Sequence, residues 1–193
     1  MRVLLVHCHP RSDSLSAALA AAAQASLEAA GHVVERRDLY AEDFQPAVTA
    51  QTHRHYMDTA LNQQGVEADV AQLQRAEALL LVYPTWWYGM PALLKGWFDR
   101  IWVPGVTFVV GKGAIHPRLT NIRRIGVVTT YGSPLWLLLY LGWPDRRVIG
   151  GGIRRLCARG CTLDWLYLAR MNHRSRAECA GFIERVRVAL SGW

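Results

Sequence analysis

The sequence has few cysteines and no long apolar run, and both deficits limit what the protein can be. Four cysteines lie unevenly along 193 residues, at positions 8, 157, 161 and 179, which favours free thiols over a disulfide framework. The longest apolar run is too short to cross a bilayer, and MRVLLVHCHP lacks the features of a secretory signal. We therefore expect a single cytoplasmic domain over residues 1–193, long enough to bury a core.

Common phosphate-binding and metal-binding patterns are also absent. There is no G-x-G-x-x-G and no G-x-x-x-x-G-K-S/T, so neither a dinucleotide-type Rossmann site nor a P-loop is expected. Cys157 and Cys161 have helical spacing, but no second Cys/His pair lies nearby at metal-ligand spacing. We therefore expect no metal site.

Acidic residues are scarce in the second half of the chain. Residues 1–110 hold 8 Lys/Arg against 11 Asp/Glu, whereas residues 111–193 hold 14 against 4. This basic half favours anionic partners such as a phosphorylated cofactor or an acidic membrane surface, and a solvated surface without a partner is the alternative. No nucleic-acid-reading motif accompanies the charge, so we expect no nucleic-acid binding.

What the sequence does contain is a regular alternation of apolar runs and amphipathic stretches. The runs predict strands at residues 3–6, 33–34, 78–83, 125–130 and 163–168. Helical patterns cover residues 14–30, 66–75, a stretch after Pro91, much of 133–160, and 177–190. Continuously apolar strands alternating with helices predict an α/β fold with a parallel sheet covered on both faces.

Three unusual segments follow three of these strands. They are residues 7–16, 84–89 and 129–133. In parallel α/β sheets, ligands bind outside the carboxyl ends of the strands. We therefore expect the three segments to form one site.

The first segment, HCHPRSDSLS, leads from a strand into a helix. A helix N-terminus offers free N–H groups and a positive dipole end, which suits a phosphate group. Ser14, Ser16 and His9 add donors. An ordinary helix cap is the alternative explanation.

The second segment begins the stretch YPTWWYGMPALLKGWFDRIW. Trp97 and Phe98 fall on the apolar stripe of a helix and are predicted core, as is Trp102. Trp86, Trp87 and Tyr88 precede that helix on a proline-flanked loop and suit a wall for a planar ligand. The alternative is a small hydrophobic cluster under the loop.

The third segment, TTYGS, offers hydroxyl and N–H groups for a polar ring edge. By itself this segment is only weak evidence for a binding site, because such turns are common.

Taken together, these segments resemble the NAD(P)H:quinone oxidoreductase family of flavodoxin-like flavoproteins, which includes ancillary reductases of glutathione-gated potassium efflux systems. YPTWWYGMPALLKGWFDRIW carries most of the resemblance, supported by HPRSDSLSAAL, DLYAEDFQP and TTYGS. The resemblance covers roughly residues 1–133. It implies a flavodoxin-like three-layer sandwich, with a five-stranded parallel sheet and helices on both faces.

The resemblance also implies a set of cofactor-binding residues. The flavin phosphate side would be held by His9, Ser14, Leu15 and Ser16. The isoalloxazine ring would be lined by Pro84, Thr85, Trp86, Trp87 and Tyr88, and its polar edge bonded by Thr129, Thr130, Tyr131 and Gly132.

One part of the family pattern is missing. Well-known members carry a Tyr and a His after the threonine turn, whereas SPLWLLLYLGWPDRR holds Trp136 and Tyr140 but no histidine. His116 lies upstream and His173 far downstream. No catalytic residue is therefore assigned from the resemblance.

The implied activity is transfer of two electrons from NADH or NADPH, through FAD or FMN, to a quinone or another small planar acceptor. Reduction of azo or nitro compounds at the same site is an alternative, and so is a regulatory flavoprotein subunit of a membrane transport system. An electron carrier like flavodoxin is disfavoured because such carriers are strongly acidic. The resemblance and the many aromatic residues predict a homodimer, with the aromatic loop near the interface.

A last feature is the apolar strip LWLLLYLGW at residues 135–143, followed by Arg146, Arg147, Arg154 and Arg155. Such a strip suits peripheral contact with an anionic membrane. The favoured alternative is a buried helix that lines the acceptor pocket.

Overall fold

The computed structural model describes residues 1–193 and contains seven strands and seven α-helices. The strands are β1 (Arg2–His7), β2 (Val33–Asp38), β3 (Ala78–Pro84), β4 (Phe108–Val110), β5 (Ile115–Pro117), β6 (Arg124–Thr130) and β7 (Thr162–Leu168). The helices are α1 (Leu15–Ala29), α2 (Ala50–Arg54), α3 (Glu67–Arg75), α4 (Ala92–Ile101), α5 (Leu135–Tyr140), α6 (Pro144–Arg147) and α7 (Arg176–Ser191). A π-helical turn at Val148–Gly152 and 3-10 turns at Ile153–Leu156 and Met171–His173 complete the helical segments.

Five strands form one parallel sheet in the order β2-β1-β3-β6-β7. The chain therefore moves outward in one direction from β1 to β2 and in the other from β1 through β3. Because all five strands are parallel, their carboxyl ends lie at one edge, and the change of direction between β1 and β3 opens a crevice there. The predicted flavodoxin-like sandwich with a five-stranded parallel sheet is confirmed.

Helices cover both faces of this sheet. One buried cluster joins alternate strand residues such as Val3 and Leu80 to α1 and α7, and the second joins Leu4 and Leu79 to α3 and α4. Side chains of a strand point alternately to the two faces, so a strand that is covered on both sides needs apolar residues throughout. This explains the uninterrupted run ALLLVY in β3, whose six residues are all buried.

The predicted elements are present, with boundaries displaced by only a few residues. The hairpin of β4 and β5 and the short helix α2 were missed, because segments of three to five residues carry too few apolar positions to define a period. Pro91 is the residue immediately before α4, as the helical pattern after it predicts. All four cysteines are free thiols, and three of them are buried.

Helix α4 fixes the aromatic loop to the core. Trp97 is fully buried, and its indole N–H donates to Asp69 Oδ1 at 3.0 Å. Phe98 packs against Trp97 with ring centroids 5.2 Å apart, and the partly buried Trp102 lies 4.7 Å from Phe98. A Cβ on Gly96 would lie 2.3 Å from the Pro46 side chain, so glycine is required for this close approach.

The strip at residues 135–143 is largely exposed in the folded chain. Of α5, only Leu138 is buried, whereas Trp136 is 67% and Tyr140 83% exposed. The favoured prediction of a buried helix is therefore wrong: an apolar sequence shows a preference for burial, but this chain supplies no second layer over α5. No helix in the structure has the length and apolar character needed to span a membrane.

Candidate functional site

The structure brings the three predicted segments together at the carboxyl edge of the sheet. They follow β1, β3 and β6, which are adjacent strands. The Thr85 N–H donates to the Thr130 carbonyl oxygen at 2.8 Å, which joins the second segment to the third. The His9 ring lies 6.5 Å from the Trp86 ring, which places the first segment beside the second.

The N-terminus of α1 has polar groups that nothing in the chain satisfies. Ser14 caps the helix, with its Oγ accepting from the Ala17 N–H at 3.1 Å. The N–H groups of Leu15 and Ser16 find no acceptor in the chain. Ser16 Oγ is buried without a partner, and the residue is only 5% exposed. An unsatisfied buried hydroxyl costs about 1–3 kcal/mol, so this cluster indicates a place for an external acceptor such as an anion.

His9 closes the first segment on its solvent side. Its Nδ1 accepts from the Arg11 N–H at 3.0 Å, and the side chain is half-buried. Arg11 is itself paired with Asp13 in an exposed ion pair at 2.9 Å. The His9 imidazole is therefore held between the α1 loop and Trp86.

The aromatic loop is a strained turn. Trp86 and Gly89 exchange two backbone hydrogen bonds, at 3.1 and 3.0 Å, and the two residues between them have positive φ, 49° at Trp87 and 62° at Tyr88. Such turns normally carry Asn or Gly, and each non-glycine residue held there costs of order 1–3 kcal/mol. Strain of this kind is typical of ligand-contacting loops.

This turn leaves Trp87 uncovered. The side chain is 95% exposed, so the alternative of a hydrophobic cluster under the loop is wrong for Trp87. Trp86 is 41% exposed and Tyr88 is half-buried. A large ring with almost no contacts in the chain remains free to cover a ligand or a partner surface.

The aromatic loop and the threonine turn line an open cavity of about 480 Å³. Its lining consists of Thr85, Trp86, Trp87, Tyr88, Tyr131, Gly132 and Ser133. All but Ser133 were predicted site residues. Pro84, the last residue of β3, is half-buried beside them. The mostly aromatic wall with a few hydroxyl groups is typical of a small-molecule site.

The threonine turn uses most of its polar groups internally. Thr129 is fully buried, with Oγ1 at 2.9 Å from Thr85 Oγ1. The Tyr131 N–H donates to the Leu168 carbonyl oxygen at 2.9 Å, and its hydroxyl donates to Asp145 Oδ2 at 2.8 Å. Thr130 is 8% exposed, whereas Gly132 is exposed.

Asp145 is the residue that sequence reasoning missed. It lies on α6, is 2% exposed, and lines a second cavity of about 270 Å³ together with Trp87, Tyr88 and Lys95. Burial raises the pKa of Asp145 above its ordinary value, although hydrogen bonds from Tyr131, the Arg146 N–H and Tyr83 oppose that shift. One sequence signal was available: Asp145 is one of only four acidic residues after position 110.

The comparisons with known proteins agree with this geometry. A family model described as "Flavodoxin-like fold" matches residues 1–136. An uncharacterized NAD(P)H oxidoreductase, YcaK, of Escherichia coli (strain K12) is 32% identical over 81% of this chain and 76% of its own length. NAD(P)H dehydrogenase (quinone) 1 of Rattus norvegicus is 27% identical over 81% of this chain, which spans only 64% of that relative.

Among solved structures, the NAD(P)H:quinone oxidoreductase from Methanothermobacter marburgensis superposes with a TM-score of 0.81. It is 26% identical, and the match covers 99% of this chain and 96% of that one. Fold, strand order and sequence similarity thus point to one group of proteins. The chain belongs to the family with the flavodoxin-like fold, and its relatives there are NAD(P)H oxidoreductases and quinone reductases.

Proposed function

We propose that the protein is a flavin-dependent NAD(P)H oxidoreductase that transfers two electrons to a quinone or a similar planar acceptor. One observation carries the proposal: unsatisfied donors at the N-terminus of α1 and an uncovered tryptophan loop lie at the same sheet edge. A flavin nucleotide combines the two groups that these features suit, an anionic phosphate and a flat aromatic ring.

The phosphate side is supported by the free donors of α1. Ser16 Oγ and the N–H groups of Leu15 and Ser16 would hold the phosphate, while Ser14 keeps its capping bond. The helix dipole adds a favourable interaction with negative charge. His9 would close this side of the site.

The ring side is supported by the cavity beyond Thr85. Pro84 to Tyr88 would line the flat face. Thr130 and Gly132 would bond the polar edge of the ring, which is supported for Gly132 by its place in the cavity lining. Thr129 would act from beneath, since its side chain is fully buried and bonded to Thr85, whereas Tyr131 lines the cavity with its hydroxyl bonded to Asp145.

A bound flavin would supply the redox chemistry of hydride transfer from NADH or NADPH. The task of the chain is to hold the ring, exclude water and place the acceptor. Trp87 and Tyr88 border both cavities, so the same loop would position the cofactor and shape the space for the acceptor.

We also propose a homodimer in which the aromatic loop and α5 are covered. Trp87, Trp136 and Tyr140 are exposed, and Ser133, two residues before α5, lines the first cavity. Exposed apolar patches of this kind mark interaction surfaces. Contact of α5 with an anionic membrane is the competing use of the same patch.

Two related activities use the same site. An azo or nitro compound is a planar two-electron acceptor like a quinone, so the acceptor has to be chosen by assay. A regulatory subunit of a transporter would bind the same flavin and differ in its partner.

The free, mostly buried thiols support a cytoplasmic location.

Flavin binding is the decisive test. We expect freshly purified protein to absorb as a flavoprotein, or the flavin-free protein to gain thermal stability with FMN or FAD. A ligand present at a hundred times its Kd adds about 2.7 kcal/mol. The mass of the released cofactor distinguishes FMN from FAD, and NADH or NADPH oxidation with a benzoquinone or an azo dye then identifies donor and acceptor.

The proposal is wrong if the protein is colourless and neither flavin changes its melting temperature. Riboflavin, which lacks the phosphate, is the matched control ligand. It should bind more weakly than FMN, because the donors of α1 would then remain unsatisfied.

A further inference from the structure

Asp145 is a buried carboxyl group with no cation beside it. Residues 111–193 hold four acidic residues, and the other three form ion pairs: Asp164 with Arg124, Glu178 with Arg174, and Glu184 with Arg187. Asp145 forms none, although it is the least exposed of the four. A buried acid without a cation is costly for stability, so its position calls for a function.

The partners of Asp145 are hydroxyl groups. Its Oδ2 accepts from Tyr131 at 2.8 Å, from Tyr83 at 3.3 Å and from Thr85 at 3.4 Å, while Oδ1 accepts from the Arg146 N–H at 2.9 Å. Thr85 Oγ1 is also 2.9 Å from Thr129 Oγ1. A chain of hydroxyls therefore runs from the threonine turn to the carboxyl group.

The network connects the two cavities of the site. Tyr131 and Thr85 line the first cavity, whereas Asp145 lines the second, which reaches the exposed Lys95. Asp145 reaches this place because Gly142 and Trp143 have positive φ, 69° and 52°, and turn the chain back just before α6. This turn therefore places the Asp145 side chain in the protein interior.

We propose that Asp145 is a positioning residue that holds a proton for the reaction and acts through the hydroxyls of Tyr131 and Thr85. This inference rests on the proposed function. Reduction of a quinone by NAD(P)H consumes one proton: the nicotinamide gives up a hydride, and the quinone becomes a hydroquinone with two new O–H bonds. The second O–H bond needs a proton donor near the acceptor.

The hydroxyl network meets that need. A protonated Asp145 donates to Tyr131 or Thr85 as that hydroxyl passes its own proton to the acceptor oxygen, and water in the second cavity then reprotonates Asp145. Burial raises the pKa of Asp145, which favours the protonated form. Burial also raises the pKa of both tyrosines, which keeps them protonated as donors.

The charged and titratable groups around Asp145 are few. Tyr83 on β3 and Tyr131 after β6 bond it directly, and Lys95 on α4 shares its cavity but is paired with Asp99. The Arg146 guanidinium lies 5.9 Å from the centre of the Trp143 ring, so its charge is engaged there. The Asp145 carboxyl group takes part in no ion pair, so a pH response that is lost in Asp145→Asn is assigned to Asp145.

The first test uses flavin-free protein. The folded state holds the Asp145 proton to higher pH than the unfolded state does, so stability from this group is present at low pH and lost as pH rises through the folded pKa. Between the unfolded-state and folded-state pKa of Asp145, the equilibrium constant for folding of the wild type should therefore fall, relative to that of Asp145→Asn, by up to tenfold for each pH unit. Denaturant titrations from acid to neutral pH measure it, with Asp164→Asn as the control at a partly exposed, arginine-paired acid.

The second test uses protein loaded with FMN or FAD and a water-soluble benzoquinone. Asp145→Asn keeps a side chain of the same shape but removes the titratable carboxyl group. It should lower kcat, leave the KM for NAD(P)H nearly unchanged and flatten the pH profile of kcat. The midpoint potential of the flavin should also lose part of its pH dependence.

The outcomes are separable. If wild-type protein binds no flavin, the proposed function fails, and the flavin-free titration still decides whether Asp145 holds a proton. If flavin binds but Asp145→Asn keeps the wild-type pH profile and potential, the inference is wrong and the proposed function stands. If Asp145→Asn does not fold, the double variant Tyr131→Phe with Thr85→Val removes both hydroxyls of the proposed path while keeping the acid, and an unchanged pH profile in that variant overturns the inference.

Discussion

At the scale of single residues, the site contains side chains that complete the fold beside others that have no partner in the chain. Trp97 and Trp87 lie ten positions apart in one aromatic stretch, yet the first is fully buried and the second is 95% exposed. Trp97 also donates a hydrogen bond to the buried Asp69. The same residue type therefore serves packing in one place and is free for a ligand in the other.

This difference predicts opposite effects of the same substitution. Trp97→Ala should lower stability by about 3–5 kcal/mol through a core cavity, and it also leaves Asp69 without its indole donor. Trp87→Ala should leave the stability of the flavin-free protein nearly unchanged and weaken flavin binding by about 1 kcal/mol, or roughly fivefold.

Denaturant unfolding of the flavin-free proteins and flavin fluorescence titrations measure both effects. Trp97→Ala is the matched control for loss of a ring from the same stretch. If Trp87→Ala instead destabilises the fold as strongly as Trp97→Ala and retains normal flavin affinity, the aromatic wall is packing and not a binding surface.

At the scale of elements, the N-terminus of α1 carries one serine that caps the helix and another that is proposed to bind a ligand. Ser14 and Ser16 lie two positions apart, but only Ser14 Oγ has a partner in the chain. An N-cap hydroxyl stabilises the helix itself, whereas a buried hydroxyl without a partner opposes folding until a ligand satisfies it. One turn of helix thus holds a structural serine and a proposed ligand-binding serine.

The two serines predict different phenotypes for the same change to alanine. Ser14→Ala should cost about 1 kcal/mol of stability, with or without flavin. Ser16→Ala should leave the flavin-free protein as stable as the wild type or more so, and should weaken FMN binding roughly tenfold, because a hydrogen bond to a charged group is lost.

Melting temperatures of the flavin-free variants and FMN titrations provide the measurement. Riboflavin binding should be unaffected by Ser16→Ala, since that ligand has no phosphate. Equal losses of FMN and riboflavin affinity would place Ser16 away from the phosphate and contradict the assignment.

At the scale of the whole molecule, the exposed aromatic residues lie on the side that carries the site. Trp87 borders the two cavities, and Trp136 and Tyr140 follow on α5. A flavin ring beside so exposed a loop needs a further cover to exclude water. A second copy of the chain, in the proposed homodimer, would supply such a cover with the same apolar surface.

We expect the protein to sediment as a species of about twice the chain mass of 21.7 kDa. Tyr140→Glu should shift it toward the monomer while preserving the fold, because Tyr140 is 83% exposed in the single chain. Val188→Glu on α7 is the matched control, since Val188 is 66% exposed on another surface. Sedimentation velocity at several concentrations measures the shift.

A monomer at all working concentrations would contradict the dimer. Vesicle flotation with anionic lipid at low salt then tests the competing use of α5, which predicts binding that Tyr140→Glu abolishes. Absence of flotation in the wild type would remove the membrane proposal.

The fold was largely predictable because its determinants are local. Continuous apolar runs such as residues 78–83 mark strands covered on both faces, and the spacing of Leu94, Trp97, Phe98 and Ile101 defines the buried stripe of α4. Each pattern reports how an element is oriented toward the core, and the parallel sheet follows from their order along the chain. The same rule predicts the candidate site at the carboxyl ends of β1, β3 and β6, which are adjacent strands.

Only the tertiary structure decided which side chains of the site are free and which are engaged. Asp145 meets Tyr83 across 62 positions of sequence, and no periodicity records such a contact. The sequence of α5 is as apolar as a buried helix, yet the chain leaves it exposed, because burial depends on whether another layer is available and not on the helix alone. The sequence likewise does not distinguish the roles of Ser14 and Ser16. They differ because the helix directs the Ser14 hydroxyl to its own backbone and the Ser16 hydroxyl into the interior.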